Sequence, residues 1–282
     1  MNRRNFLKLS GSVGSLALLS NCAGAAEGHY PFGIQLYTLR DDMPGDPDGV
    51  LRQLAGFGYQ QIESFEGPMG MFWGKTPAAF KAYINDLGMD LVASHCTIEQ
   101  GFEQKAADAA DAGMQYLICP IIGAQSSMDG YLRYADRFNE CGEICRQNGL
   151  KFAYHNHNYS FIAVDGVFPQ DLMMQNTDPM LVDFELDMFW LTAAGQDVET
   201  WLRKYPGRFP LSHVKDRLAN SPGMSLTATT TLGKGIIDYP KILPIAYEQG
   251  MRYFLVEQES YAGTTPLESS ADNAKYMQQF QF

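Results

Sequence analysis

Five times along this 282-residue chain an amphipathic stretch ends in a glycine, an apolar residue follows, and a short β-rich run comes next. The joints are Gly58-Tyr59 before Gln61-Ile62-Glu63, Gly88-Met89 before Leu91-Val92-Ala93, Gly113-Met114 before Tyr116-Leu117-Ile118, Gly149-Leu150 before Phe152-Ala153-Tyr154, and Gly250-Met251 before Tyr253-Phe254-Leu255-Val256. Glycine closes a helix because it tolerates the left-handed backbone of the C-terminal cap, so each joint leads from a helix into a buried strand. The first three of these glycines are 30 and 25 residues apart, about one βα unit each. Apolar runs at residues 32–39, 181–186 and 209–213 stand where the same period needs further strands, which makes eight. Thr76-Pro77 starts a helix with an N-cap and an N1 proline, and residues 128–148 read as a longer amphipathic helix. Alternating strands and helices favour a parallel sheet, either closed or open and doubly wound. No Gly-x-Gly-x-x-Gly turn follows the first strand, where a dinucleotide fold would place it. The expectation is an α/β chain of one catalytic domain, a (β/α)8 TIM barrel over residues 30–282.

The first 21 residues differ in kind: Arg3, Arg4 and Lys8, no acid, and an apolar run over 13–19 that is far short of the roughly 20 residues needed to span a bilayer. Arg3-Arg4-Asn5-Phe6-Leu7-Lys8 resembles the twin-arginine export signal, a route that carries folded proteins and so permits metal loading before export. Leu19-Ser20-Asn21-Cys22 resembles a lipoprotein cleavage box, which makes Cys22 a candidate lipid anchor. We therefore expect an export signal over 1–21, a short linker over 22–29, and a periplasmic location. Cys96, Cys119, Cys141 and Cys145 have no metal-binding spacing and read as small buried hydrophobes. A formal net charge of −11 argues against a nucleic-acid partner, since neutralising phosphates needs a basic surface.

In such a barrel the chemistry sits at the C-terminal ends of the strands. The fifth run ends in Tyr154-His155-Asn156-His157-Asn158, the sixth in Phe184-Glu185-Leu186-Asp187, the seventh in Leu211-Ser212-His213-Val214-Lys215-Asp216, and the eighth in Leu255-Val256-Glu257-Gln258. Alternation along a strand puts His155 on one face with His157, Glu185 with Asp187, His213 with Lys215, and Leu255 with Glu257. Histidines, carboxylates and a lysine gathered at one mouth would be costly to bury uncompensated. A divalent metal in a mixed N/O site removes that cost, with Mn, Zn, Co, Fe and Mg as the options.

At these residues the sequence resembles the xylose isomerase-like barrels, specifically the sugar phosphate isomerase/epimerase group, over nearly the whole of the catalytic domain. The likeness is carried by Gly33-Ile34-Gln35-Leu36-Tyr37 with Leu39-Arg40, His155-Asn156-His157, Leu186-Asp187 with Trp190, His213-Val214-Lys215-Asp216, Gly233-Lys234-Gly235 with Ile237-Asp238, and Glu257, in that order. The resemblance implies a metal held by one ligand from each of the last four strands: Asp187, His213, Glu257 and, where ketose epimerases carry Glu, His155. It implies abstraction of a proton next to a carbonyl, the metal chelating the ketone oxygen and a neighbouring hydroxyl of a sugar while an enediolate forms. Glu257 or His157 would be the base and Lys215 a catalytic partner. Glu63, His95, Lys215 and Trp190 would contact substrate, with a structural pairing as the other option for Glu63. Ser160 stands where this histidine motif often carries Glu. A metal-dependent isomerase or epimerase is the leading reading, and a lyase acting on 3-keto-glycosides with the same metal and a histidine base is the alternative. An endonuclease-like activity and a non-catalytic sugar-binding protein rank lower, the former also because no further set of His and Glu ligands is evident.

Overall fold

The helices of the repeat start and stop where the sequence supplies caps. A computed structural model describes residues 30–219, 221 and 225–281; the expected export signal, the linker over 22–29 and Cys22 lie outside these described residues. Side chains of Asp46, Thr76, Asp238 and Thr265 accept hydrogen bonds from the first turns of α1 (Pro47–Phe57), α2 (Pro77–Asp86), α8 (Tyr239–Glu248) and α9 (Pro266–Met277), each with proline at its first or second position. The remaining helices are α3 (Phe102–Asp111), α4 (Met128–Gln147), α5 (Pro169–Gln175), α6 (Met188–Ala193) and α7 (Val198–Lys204). All five joint glycines adopt positive φ, from 72° at Gly113 to 103° at Gly250, as the helix-to-strand turn requires.

Eight parallel strands close into a barrel: β1 (Gly33–Gln35), β2 (Gln61–Phe65), β3 (Asp90–His95), β4 (Tyr116–Cys119), β5 (Lys151–His155), β6 (Val182–Asp187), β7 (Leu211–Val214) and β8 (Tyr253–Val256). β1 pairs with both β2 and β8, which completes the ring. The first strand is shorter than its apolar run, because residues Leu36–Leu39 form a 3-10 turn. The Gln35 side chain caps that turn by accepting from the Tyr37 amide at 2.9 Å. The β7–α8 connection adds an antiparallel hairpin, Asp216–Arg217 with Thr229–Thr230, that the sequence pattern does not announce.

One hydrophobic layer lies between strands and helices, where Phe138 of α4 packs against Phe152 and Tyr154 with ring centroids 5.4 and 4.9 Å apart. A second plugs the lower barrel with Ala93, Tyr116, Ile118, Ala153, Leu211 and Leu255. Above this plug the interior turns polar, and that change of character defines the site. No helix among the described residues is long and apolar enough to cross a membrane.

The four described cysteines are buried and unpaired. Burial pushes the Cys96 and Cys141 thiols up to about 12 and those of Cys119 and Cys145 further still. At pH 8 these four should therefore resist iodoacetamide in the native protein and react fully in guanidinium, as read by peptide mass mapping. Native-state labelling of any of them would contradict this packing.

Candidate active site

Strand parity aims alternate side chains of β5 to β8 and their ends into the barrel, and the register sets neighbours at matching heights: His155 opposite Glu185, and Asp187 opposite His213. The Asn156 side chain accepts from the Asp187 amide at 3.0 Å and donates to the Asp187 carbonyl at 3.2 Å, which locks the ends of β5 and β6 together. Asp187 also begins α6, its Oδ1 accepting from the Trp190 amide at 2.9 Å. One carboxylate thus faces the site with Oδ2 while Oδ1 positions the indole beside it.

His155, Asp187, His213 and Glu257 converge so that one ligand atom from each lies within 4.8 Å of the others. The rings are held in the orientation metal ligands need. His155 donates Nδ1–H to the Pro120 carbonyl at 3.0 Å, which turns Nε2 toward Asp187 Oδ2 at 3.4 Å. His213 Nε2 bonds Glu63 Oε1 at 2.8 Å, leaving Nδ1 3.0 Å from Glu257 Oε2 and 3.7 Å from Asp187 Oδ2. A buried ring nitrogen facing two carboxylate oxygens fits a shared cation. Two nitrogens and two carboxylate oxygens suit a divalent transition metal, so the residues present fit such a group.

Directly beneath lies a second His/Glu set, Glu63, His95 and Glu185 with the same His213. This corrects the expectation that no such set exists: its members come from strands distant in sequence, and barrel closure brings them together. His95 Nε2 lies 3.1 Å from Glu63 and 2.8 Å from Glu185, and Gln35 donates to Glu63 at 2.6 Å. Burial alone would raise the Glu63 carboxyl, but the His95 and His213 rings outweigh it and hold it below the usual range. Burial and the neighbouring Glu63 charge lift Glu185 to about 7. Burial opposes protonation of His95, yet the two carboxylates raise it to about 9. Glu63 is fully buried and absent from the cavity wall. Its partners are Gln35, His95 and His213.

A cavity of about 510 Å³ opens above, with His95, His155, His157, Lys215, Glu257 and Glu259 among its walls. Lys215 is buried, its ammonium 3.0 Å from Asp187, 2.7 Å from Glu257 and 2.6 Å from Glu259. Desolvation would lower its pKa, but these three carboxylates hold it well above the ordinary value. His157 stacks on Trp190 at 5.2 Å, and its Nδ1 is buried without a hydrogen-bond partner. Burial, then the positive neighbours His155 and Lys215, push it down to about 2, so the ring stays neutral. The Trp190 indole nitrogen is likewise buried and unbonded at the cavity wall. Ser160 instead bonds the Tyr154 hydroxyl at 3.0 Å, and neither residue lines the cavity. Sequence reasoning passed over Gln35, Glu185 and Glu259 as site residues. Glu259 lies two residues beyond Glu257, and that parity was the available signal.

Reconstitution with Mn or Zn followed by mass spectrometry should give one tightly held ion per chain, lost in Asp187→Ala and His213→Ala. Glu63→Gln should weaken metal affinity by about 10- to 100-fold, although Glu63 does not reach the cavity. Unchanged affinity in that variant would remove Glu63 from the support of His213.

The xylose isomerase-like TIM barrel family model matches residues 51–280. Among curated proteins the chain is similar to an inosose dehydratase of Clostridium tetani, 30% identical over 159 residues, covering 51% of this chain and 53% of that protein. It is also similar to an inosose dehydratase of Geobacillus kaustophilus, 24% identical over 221 residues, covering 66% of this chain and 70% of that protein. The chain thus spans about half the length of the first of these relatives. Among solved structures it resembles a sugar phosphate isomerase/epimerase from Parabacteroides distasonis, with TM-score 0.76 and 27% identity over 92% of this chain and 97% of that one. It shares its fold with the IOLI protein described with a bound zinc atom, at TM-score 0.70 and 17% identity over 88% and 96% of the two chains. With the family model covering most of its length and a closed eight-strand barrel as its fold, the chain belongs to the xylose isomerase-like TIM barrel family.

Proposed function

We propose that this protein is a metal-dependent lyase acting on a cyclic polyhydroxy ketone, removing the oxygen substituent β to the carbonyl as water or as the alcohol of a glycoside. The observation that carries this reading is the placement of base and acids. His157, two residues past the end of β5, has its Nδ1 buried and unpartnered at the cavity wall, while Glu257 and Glu259 both follow β8 and grip one ammonium. The third acid of the wall, Glu66, pairs with Lys105 at 2.8 Å. Proton exchange on two faces of a sugar needs two independent acid/base groups on opposite sides of the carbon, and the two cavity-wall glutamates beyond β8 stand together on one ammonium. Elimination needs one base beside the carbon and one proton source beside the departing oxygen.

When bound by His155, Asp187, His213 and Glu257, a divalent ion supplies Lewis-acid charge for the carbonyl and the adjacent hydroxyl oxygen. His157, neutral before substrate binds, takes the proton from the carbon next to the carbonyl as negative charge develops on the substrate. That charge, with Asp187 and Glu257 nearby, stabilises the imidazolium, and Trp190 stacks on the ring to fix its plane. Lys215 and Glu259, joined at 2.6 Å, hold a proton for the leaving oxygen. Among the described residues lining the cavity, the cationic groups are already matched, Lys215 by three carboxylates and His95 by Glu63 and Glu185. The site therefore favours an uncharged ketone over a phosphate ester. Relatives named inosose dehydratase support elimination over isomerisation. Isomerisation or epimerisation is the second reading, favoured by the likeness to the Parabacteroides distasonis protein.

Metal-loaded protein incubated in deuterated water with an inosose and with a 3-keto-glucoside should yield the absorbance of a conjugated enone and, from the glycoside, free alcohol. Deuterium at carbon without bond cleavage would defeat the lyase reading in favour of the second. His157→Gln should lower kcat by about 10²-fold or more with metal retained.

A further inference from the structure

The mouth carries an apolar feature that a sugar ring does not explain. Among the described residues, every large hydrophobic side chain left exposed, except Met180, stands in a connection that leaves the C-terminal end of a barrel strand. Tyr37, Ile121 and Leu226, which are 38%, 57% and 44% exposed, belong to the cavity wall itself. They follow three different strands, β1, β4 and β7, so the apolar character surrounds the opening rather than marking one loop.

Part of this rim is built stiff. Phe65 at the end of β2 meets Tyr37 edge-on at 5.2 Å and Trp73 edge-on at 5.1 Å. Trp73 is buried with φ at 53°, a left-handed backbone that is a rare outlier for a bulky residue. Its indole donates to Ser64 Oγ at 3.1 Å, and Ser64 donates to the Met71 carbonyl at 2.7 Å, which holds the strained turn in place. Trp73 thus braces Phe65, and Phe65 braces Tyr37 at the lip. Backbone strain retained behind an exposed aromatic edge fits a surface kept ready for contact.

Size and chemistry then separate two parts of the cavity. Its volume of about 510 Å³ falls in the range that holds drug-sized ligands, roughly 300–1,000 Å³. Buried polar side chains gather around Lys215 and the histidines and can serve the hydroxyls of one keto-sugar ring, whereas the exposed polar residues of the wall, Glu66 and Thr97, bond each other and Lys105. Hydroxyl groups placed against Phe65, Ile121, Leu226 and the ring face of Tyr37 would lose water without gaining partners.

We propose that these four residues form a subsite for a flat apolar group, best an aromatic ring, joined to the keto-sugar through the bond that is cleaved. This rests on the lyase reading above and selects the glycoside as its substrate. The reaction balances without an oxidant. The C–H pair on the carbon between ketone and acetal becomes the new C=C bond, its proton passing to the base, while the acetal C–O bond breaks and the departing oxygen keeps the C–O pair and gains a proton. The products are an unsaturated keto-sugar and the aromatic alcohol.

The test compares benzyl and methyl β-glucosides and their 3-keto derivatives, whose alcohols have nearly equal acidity, so leaving-group strength does not confound apolar contact. Calorimetric titration of the metal-loaded protein with the two unoxidised glucosides should show the benzyl compound binding about tenfold tighter or more, and its 3-keto derivative should have a correspondingly lower KM with similar kcat. The double variant Ile121→Ser, Leu226→Ser changes only exposed side chains and should bring both ratios toward one. A wild-type binding ratio under threefold, or a preference that survives in the double variant, would overturn the subsite. Failure to cleave either 3-keto-glycoside would instead remove the lyase reading, while the binding ratio would still decide the subsite.

Discussion

His213 is the ring on which the interior turns. It is fully buried, with Nε2 bonded to Glu63 below and Nδ1 close to Asp187 and Glu257 above. Burying one charge in a barrel costs several kcal/mol unless it is matched, and here histidines, carboxylates and a lysine are buried together. Neither layer stands alone. The lower carboxylates orient the ring, and the ring offers its other nitrogen to the upper ones, which is the arrangement that tunes histidine ligands in metal centres. Removing Glu63 or Glu185 would leave a misplaced ring rather than a missing contact with substrate.

The same economy links the fold to the site through Asp187. Its backbone is clamped by Asn156, one oxygen starts α6, and the other faces Lys215 and His155. Caps of this type contribute about 1 kcal/mol, modest against the stability of a barrel. Their larger effect is geometric, because α6 carries Trp190 and Trp190 sets the plane of His157. Sites supported this closely by rigid elements keep reacting groups within the small tolerances that proton transfer demands.

The cavity reads as two chemistries stacked along the barrel axis. Its floor is charged and polar, its rim apolar and partly strained, and the acidic character of the chain is partly concentrated beneath the mouth in carboxylates that face histidines and Lys215. The proposed elimination from an uncharged ketone accords with this division of the cavity. Within the xylose isomerase-like family the exchange of a fifth-strand glutamate for a histidine is where such a change of outcome would begin.

Much of this was legible in the chain before folding. Helix-to-strand joints marked by glycine require local backbone geometry, and alternation along a strand says which side chains share a face, so the barrel and the gathering of histidines, carboxylates and Lys215 at one mouth followed from local rules, while the set His155, Asp187, His213 and Glu257 came from the resemblance to the xylose isomerase-like barrels. The end of β1 was misplaced because Gln35 caps its own following turn, a side-chain event that apolar periodicity does not register. Glu63, read from the sequence as the end of the second strand, is the third of five residues of β2, whereas Glu257 lies just past β8; one is absent from the cavity lining and the other stands on its wall. Depth along the axis depends on the stagger between strands, which closure of the whole ring sets. Direction is a property of one strand and can be read from sequence; depth belongs to all eight together, and only the tertiary structure decided it.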